Sequence, residues 1–320
     1  MLMDFFSHQN PEFGFYHEQK DLMTGNYYPL DFGSFDKDKM HAMQYSSEDG
    51  LSGTAFVYKR AKVRLSEYDV VFNGLVRDTT YEIYDFDNPE NNTFTAVSQM
   101  WIEGRFNWRR PDVIIFVNGL PLVFVELKNS DVKVAEAYNR NLKSYIKDVP
   151  NLFAFNQICV LSNGLETRLG AFSATYDYFF EWLKANEEEK IDRKAISDDG
   201  VSLDYFADGL LPKANLIDYI ENFILFENQS IKIIAKNHQY LGVNNLMQSV
   251  KDRKELQGKL GVFWHTQGSG KSYSMVMFAR KVKRKIEGNF TFLIITDRED
   301  LDTQIHKNFV RTEVIGDKEE

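Results

Sequence analysis

Residues 113–127, VIIFVNGLPLVFVEL, set two long apolar runs on either side of one Asn-Gly pair, and few patterns leave a chain less conformational choice. Unbroken Val, Ile and Phe suit a strand covered on both faces, and Asn118-Gly119 supplies the positive φ angles of a two-residue turn. An antiparallel hairpin is predicted. In such a ladder the numbers of facing residues keep a nearly constant sum, so Asp112, just before the first run, becomes a neighbour of Glu126. Strand side chains alternate between faces, so Glu126 and Lys128 project together while Leu127 turns away. A charge interrupting a buried apolar run is costly unless it has a task. Two clustered carboxylates suit a hard divalent ion such as Mg2+, and Lys128 can orient a water or offset charge building on a phosphate. The three residues read as a metal-dependent nuclease site, against the alternative of a solvated surface hairpin.

Downstream, DVKVAEAYNRNLKSYIKD carries Val134, Tyr138, Leu142 and Tyr145 or Ile146 at helical spacing. NQICVLSNG and ETRLGAFS read as two further strands, and DYFFEWLK as an amphipathic helix. A second constellation lies in GVFWHTQGSGKSYSMVMFARKV, where an apolar strand, a glycine-rich loop and a helix follow one another. Gly268, Ser269 and Gly270 would curl the backbone so that its N–H groups face a phosphate at the start of the helix. Lys271 would pair with the β- and γ-phosphates of ATP and Ser272 would bind its Mg2+. His265 stands where the strict loop pattern has its first glycine. The segment TFLIITDREDLDTQIHKNF reads as a buried strand and a helix, with Asp297 and Arg298 at the turn between them.

Pro111-Asp112 and Glu126-Leu127-Lys128 resemble the two halves of the PD-(D/E)xK nuclease motif in the restriction (R) subunit of type I restriction-modification enzymes, and HTQGSGKS resembles the phosphate loop of the same subunits. The resemblance implies that Asp112 and Glu126 hold Mg2+ and that Lys128 is the catalytic lysine of DNA phosphodiester hydrolysis. It further implies a functional Tyr145, because a Gln-x-x-x-Tyr motif lies on the following helix; here the pair is Asn141 and Tyr145, with an amide one methylene shorter. Gln239, in a segment similar to the helicase stretch that reads adenine, would contact the nucleotide base, and Asp297 and Arg298 would serve contacts between a superfamily 2 motor and DNA. Such a motor has two RecA-like domains with an acidic DEAH-type motif and a second-domain arginine. Neither is found in residues 299–320, so the expectation is weak or no ATP binding and no translocation. The family also uses an upstream acid, for which Glu67 is the candidate.

The implied fold class is α/β: a PD-(D/E)xK core with a mixed sheet flanked by helices, then an incomplete RecA-like P-loop domain. The expected divisions are 1–80, an irregular region capping the nuclease; 81–205, the nuclease; and 206–320, the start of the first motor domain. Charged residues broken by Gly200 and Gly209 suggest a surface connection near the second boundary. The net charge of −9 leaves DNA contact to local clusters, Arg105, Arg109 and Arg110 or the run from Arg280 to Lys285. One cysteine, Cys159, permits no internal disulfide. With neither a basic leader nor a membrane-length apolar run, a cytoplasmic setting is expected. Double-stranded DNA and the specificity and methyltransferase subunits are the implied partners. The alternatives are a non-catalytic docking or decoy module, supported by the missing motor half and by asparagine in place of glutamine at position 141, and a P-loop kinase or transferase, which leaves the ExK hairpin unexplained.

Overall fold

The hairpin forms from Val113–Val117 and Leu120–Leu127, closed by Asn118 at φ 50° and Gly119 at φ 84°, as a tight turn of this chemistry requires. Asn118 is more than a turn former. Its Nδ2 donates to Ile83 O (2.7 Å) and Asn92 Oδ1 (2.8 Å), and its Oδ1 accepts the Thr93 N–H (2.7 Å), which ties the turn to the preceding segment.

In this computed structural model the described residues are 83–104, 107–228, 230–312 and 314, with only the backbone strands Gly14–His17, Met40–Ser46, Ser52–Tyr58, Val71–Phe72 and Leu75–Val76 upstream. The expected cap at 1–80 falls largely outside them, and Glu67 and Arg105 fall wholly outside. The chain divides into two compact units, Met1–Leu127 with Asn139–Asn156, and Lys128–Tyr138 with Gln157–Glu320.

The first unit holds a mixed sheet. Phe94–Ser98 pairs parallel with Gly14–His17 and antiparallel with Val113–Val117, which pairs with Leu120–Leu127. Every residue of Val113–Val117 and of 122–126 is buried, so both faces are covered. The ladder contains one irregularity. Leu120 faces Val117 and Pro121 faces Phe116, but beyond them Val123 faces Ile115, Phe124 faces Ile114 and Val125 faces Val113. Leu122 is thus an inserted residue, a β-bulge, and its carbonyl accepts the Nδ2 of buried Asn156 at 3.2 Å. Continued by one residue, this register sets Asp112 opposite Glu126. A straight ladder would have set it opposite Val125.

The helix predicted over 131–148 runs from Val134 to Asp148 with a π-helical segment at Ala137–Leu142. Tyr145, and not Ile146, is the buried member of its last turn.

In the second unit Ile158–Ser162 pairs with Thr167–Gly170, which pairs with Phe180–Glu181; Cys159 is buried in the first of these. The helix expected from DYFFEWLK is instead a 3-10 turn, Tyr176–Tyr178, leading into that short strand. Leu169 faces Phe180, and Gly170 lies so close to the Phe179 ring that an added Cβ would sit 2.5 Å from it. Aromatic residues favour a pleated, half-covered surface, and here the tertiary contact outweighs the helical spacing. The charged stretch expected as a connection carries two helices, Arg193–Asp199 and Ser202–Leu210. The second buries Leu203, Phe206, Ala207 and Leu210 at 3.6-residue spacing. Gly209 is there for closeness, since a Cβ would meet Trp182 Nε1 at 2.8 Å and Ala185 Cα at 2.9 Å. Trp182, Tyr219, Phe223 and Tyr240 then build an aromatic core between Lys213–Asn222 and Asn237–Lys251.

Two further expectations are corrected. The apolar openings of 261–282 and 291–309, read as strands, belong to no sheet among the described residues, and Val262 is 93% and Ile295 85% exposed. A strand needs a neighbour to satisfy its backbone groups, and among the described residues these two have none. The basic run Arg280–Lys285 lies on the Lys271–Lys285 helix, with Lys283 and Arg284 exposed, and each of its cations has a partner within the chain. Arg280 donates to Ile224 O, Lys281 to Asp218, Lys283 to Val314 O and Arg284 to Glu221 O, while Lys285 pairs with Glu221. Among the described residues no helix is long and apolar enough to cross a membrane.

Candidate active site

Both oxygens of Asp112 are held. Oδ1 accepts Gln99 Nε2 at 2.7 Å and Oδ2 accepts the Leu127 N–H at 2.7 Å. The second bond locks Asp112 to the residue directly after Glu126, whose side chain is only 2% exposed. The hairpin therefore brings the two carboxylates to one end of one strand pair, with an all-oxygen donor set of the kind hard cations take. Among the described residues no group of three or more His, Cys, Asp or Glu side chains gathers for a metal. Lys128 follows the strand in sequence and lies in the second unit, where its N–H donates to Ser162 O at 2.8 Å.

Tyr145 comes to the carboxylate pair from the helix. Its hydroxyl donates to Arg110 O at 2.9 Å, two residues before Asp112, and its ring meets Phe124 edge-on at 5.4 Å. Burial, then the charges of Glu126 and Asp112, push its pKa up, while a side-chain hydrogen bond from Asn141 acts the other way. Tyr145 is therefore a neutral donor, and the shortened amide at position 141 serves that hydroxyl.

The two neighbouring arginines part company. Arg109 is taken by Asp148, with Nε to Oδ2 at 2.7 Å, and lies beside the Tyr145 ring. This pairing holds the Asp148 carboxyl below its ordinary range. Arg110 is exposed, with its guanidinium over the Trp101 ring at 5.3 Å and its Nε on Gln99 O at 3.1 Å. Gln99 escaped the sequence reading because a lone glutamine in VSQMW carries no pattern.

The second site is a loop closed on itself. Lys271 Nζ donates to His265 O (2.8 Å) and Thr266 O (3.0 Å), Gln239 Nε2 donates to Gly270 O (2.9 Å), and His238 Nε2 contacts Ser269 O at 3.1 Å. Gln239 Oε1 accepts the Lys236 N–H at 2.9 Å, so both ends of this buried amide cap the helix and the loop. Gly268 and Gly270 have φ of 77° and 91°, and Ser272 lies in the first turn of the Lys271–Lys285 helix. His265 stacks on Phe263 at 4.4 Å and meets His238 at 4.6 Å; burial lowers the pKa of both histidines. Asp297 and Arg298 are exposed before the Glu299–Arg311 helix.

With this geometry in hand, comparisons are informative. The family model described as the type I restriction enzyme R protein N terminus matches residues 51–178, and the SWI2/SNF2 ATPase model matches 238–320. The chain is 40% identical over 248 residues to the type I restriction enzyme HindI endonuclease subunit of Haemophilus influenzae, covering 74% of this chain and 23% of that one. It is 32% identical over 266 residues to the putative type I restriction enzyme MjaIXP endonuclease subunit of Methanocaldococcus jannaschii, covering 74% and 25%. A Staphylococcus aureus relative, the type I restriction enzyme SauCOLORF180P endonuclease subunit, is 28% identical over 243 residues, covering 73% and 24%. The chain thus spans about a quarter of the length of these curated relatives.

Proposed function

This chain belongs to the R-subunit family of type I restriction enzymes, and on that premise we propose that its hairpin is the Mg2+-dependent centre that hydrolyses DNA phosphodiesters. What supports the reading is the shifted register, which pairs Val125 with Val113 and so runs towards Glu126 and Asp112, together with the Leu127 N–H on Asp112 Oδ2. Asp112 and Glu126 would hold the ion, which suits a pair because Mg2+ commonly takes one or two carboxylates and keeps several waters. When bound, Mg2+ supplies a polarised phosphate and an activated water. Lys128 balances charge on the scissile phosphate. Tyr145 acts through Arg110 O, holding the segment that leads into Asp112, and Arg110 presents an exposed cation to the DNA backbone. The fold reading that goes with this is a PD-(D/E)xK core over 81–205 and a RecA-like start over 206–320.

ATP is proposed at residues 265–272. Binding there requires Lys271 to leave two carbonyls and Gln239 to leave Gly270, so the closed loop favours weak nucleotide affinity in this chain alone. The proposed partners are double-stranded DNA and the specificity and methyltransferase subunits of the same complex, in the cytoplasm. The test is nicking of supercoiled plasmid in Mg2+ against EDTA, with Asp112→Ala and Lys128→Ala prepared identically. Cleavage lost in both variants supports the centre; cleavage that survives in both, or is absent from the wild type, favours a docking module without chemistry.

A further inference from the structure

Gln99 occupies an unusual conformation, φ 56°, in the left-handed region that L-residues other than Gly, Asn and Asp seldom adopt. It sits directly after the Phe94–Ser98 strand, and among the described residues its side-chain and backbone hydrogen bonds there go to one tripeptide. Its N–H donates to Asp112 O at 2.9 Å, its side-chain Nε2 donates to Asp112 Oδ1 at 2.7 Å, and its carbonyl accepts Arg110 Nε at 3.1 Å. The left-handed turn is what lets one residue reach Asp112 with both backbone and side chain. A turn of this kind persists where surrounding contacts hold it, and such residues concentrate at functional sites.

Resting on the nuclease reading above, we infer that Gln99 is a positioning residue of the metal centre. A carboxylate offers about four acceptor positions. Gln99 fills one on Oδ1 and Leu127 N–H fills one on Oδ2, which stops rotation of the Asp112 carboxylate and leaves a position on each oxygen for a cation. The same residue fixes Arg110 Nε, so the metal ligand and the exposed cation beside it are placed from a single backbone turn.

The probe is Mn2+ alone, with the free ion counted by electron paramagnetic resonance during titration of wild type, Asp112→Asn, Gln99→Gly and Gln99→Asn. Glycine accepts φ 56° without strain but has no amide; asparagine tolerates the turn and keeps an amide one methylene shorter. Gln99→Gly is expected to bind Mn2+ about tenfold more weakly, the order of one hydrogen bond to a charged group, with an unfolding midpoint close to the wild-type value. Gln99→Asn is expected to fall between the two and serves if the glycine variant does not fold. Wild-type affinity in both Gln99 variants would overturn this inference and leave the centre standing. Wild-type affinity in Asp112→Asn would overturn the centre itself, and this inference with it.

Discussion

Replacing Tyr145 tests how the helix supports the hairpin. Tyr145→Phe keeps the ring against Phe124 at 5.4 Å and removes only the hydroxyl, which donates to Arg110 O at 2.9 Å. A typical buried hydrogen bond contributes about 1 kcal/mol net, and stranding its acceptor raises the cost toward about 3 kcal/mol. Arg110 is exposed and the bond is only partly buried, so the low end applies: a loss of about 1 kcal/mol. Tyr145→Ala also removes the ring from a site that is 7% exposed, and opening a cavity of that size costs roughly 3–5 kcal/mol. Urea unfolding followed by far-ultraviolet circular dichroism, with an unchanged denaturant slope, separates these values. Because the hydroxyl fixes the residues leading into Asp112, Tyr145→Phe should also slow plasmid nicking while leaving it Mg2+-dependent. A phenylalanine variant that loses more than about 3 kcal/mol, or an alanine variant no less stable than the phenylalanine one, would refute the assignment of the hydroxyl to a single hydrogen bond.

Gly104→Ala should destabilise the first unit strongly, since an added Cβ would lie 2.1 Å from Asp148 O and 2.7 Å from Asn107 O; differential scanning calorimetry showing an unchanged midpoint would contradict the packing. Burial raises the pKa of Tyr84, Tyr145, Tyr219 and Tyr240. Above about pH 10, where unfolded tyrosines ionise, the native state therefore holds more protons than the unfolded one, and stability falls as pH rises. Urea midpoints measured from neutral to alkaline pH should show that fall, shallower in Tyr145→Phe. Trp264 is 78% and Trp108 40% exposed whereas Trp182 is buried, so iodide should quench a large part of the emission in the wild type and less in Trp264→Phe, where Trp108 still responds.

The hairpin was legible because its signals are local: an Asn-Gly turn and two apolar runs fix strands and turn with little help from the rest of the chain. The bulge at Leu122 was not, since no local pattern marks it and the partner of its carbonyl, Asn156, lies 34 residues on. Reasoning from a nearly constant sum tolerates that one-residue step, because it asks only that Asp112 and Glu126 fall near one another and not for an exact register. DYFFEWLK has helical spacing in isolation, but pairing of Phe180 with Leu169 decides it. The apolar openings of 261–282 and 291–309 have strand composition, yet composition does not provide a neighbouring strand. Glu221, Asp218 and Asp148, the partners of the basic run and of Arg109, lie far away in sequence and were not legible from a run of like charges. Gln99 left no trace, because its importance lies in a backbone angle and three bonds to residues 11 and 13 positions away.

The central claim is that a divalent ion sits on the Asp112–Glu126 hairpin, and Fe2+ with ascorbate tests it directly, because hydroxyl radicals made at a bound iron cut the polypeptide beside it. Mass spectrometry of the fragments should locate cuts next to Asp112 and Glu126, suppressed by excess Mg2+ and lost in Asp112→Ala. Cuts elsewhere, or cuts at the hairpin that persist in Asp112→Ala, would contradict the account.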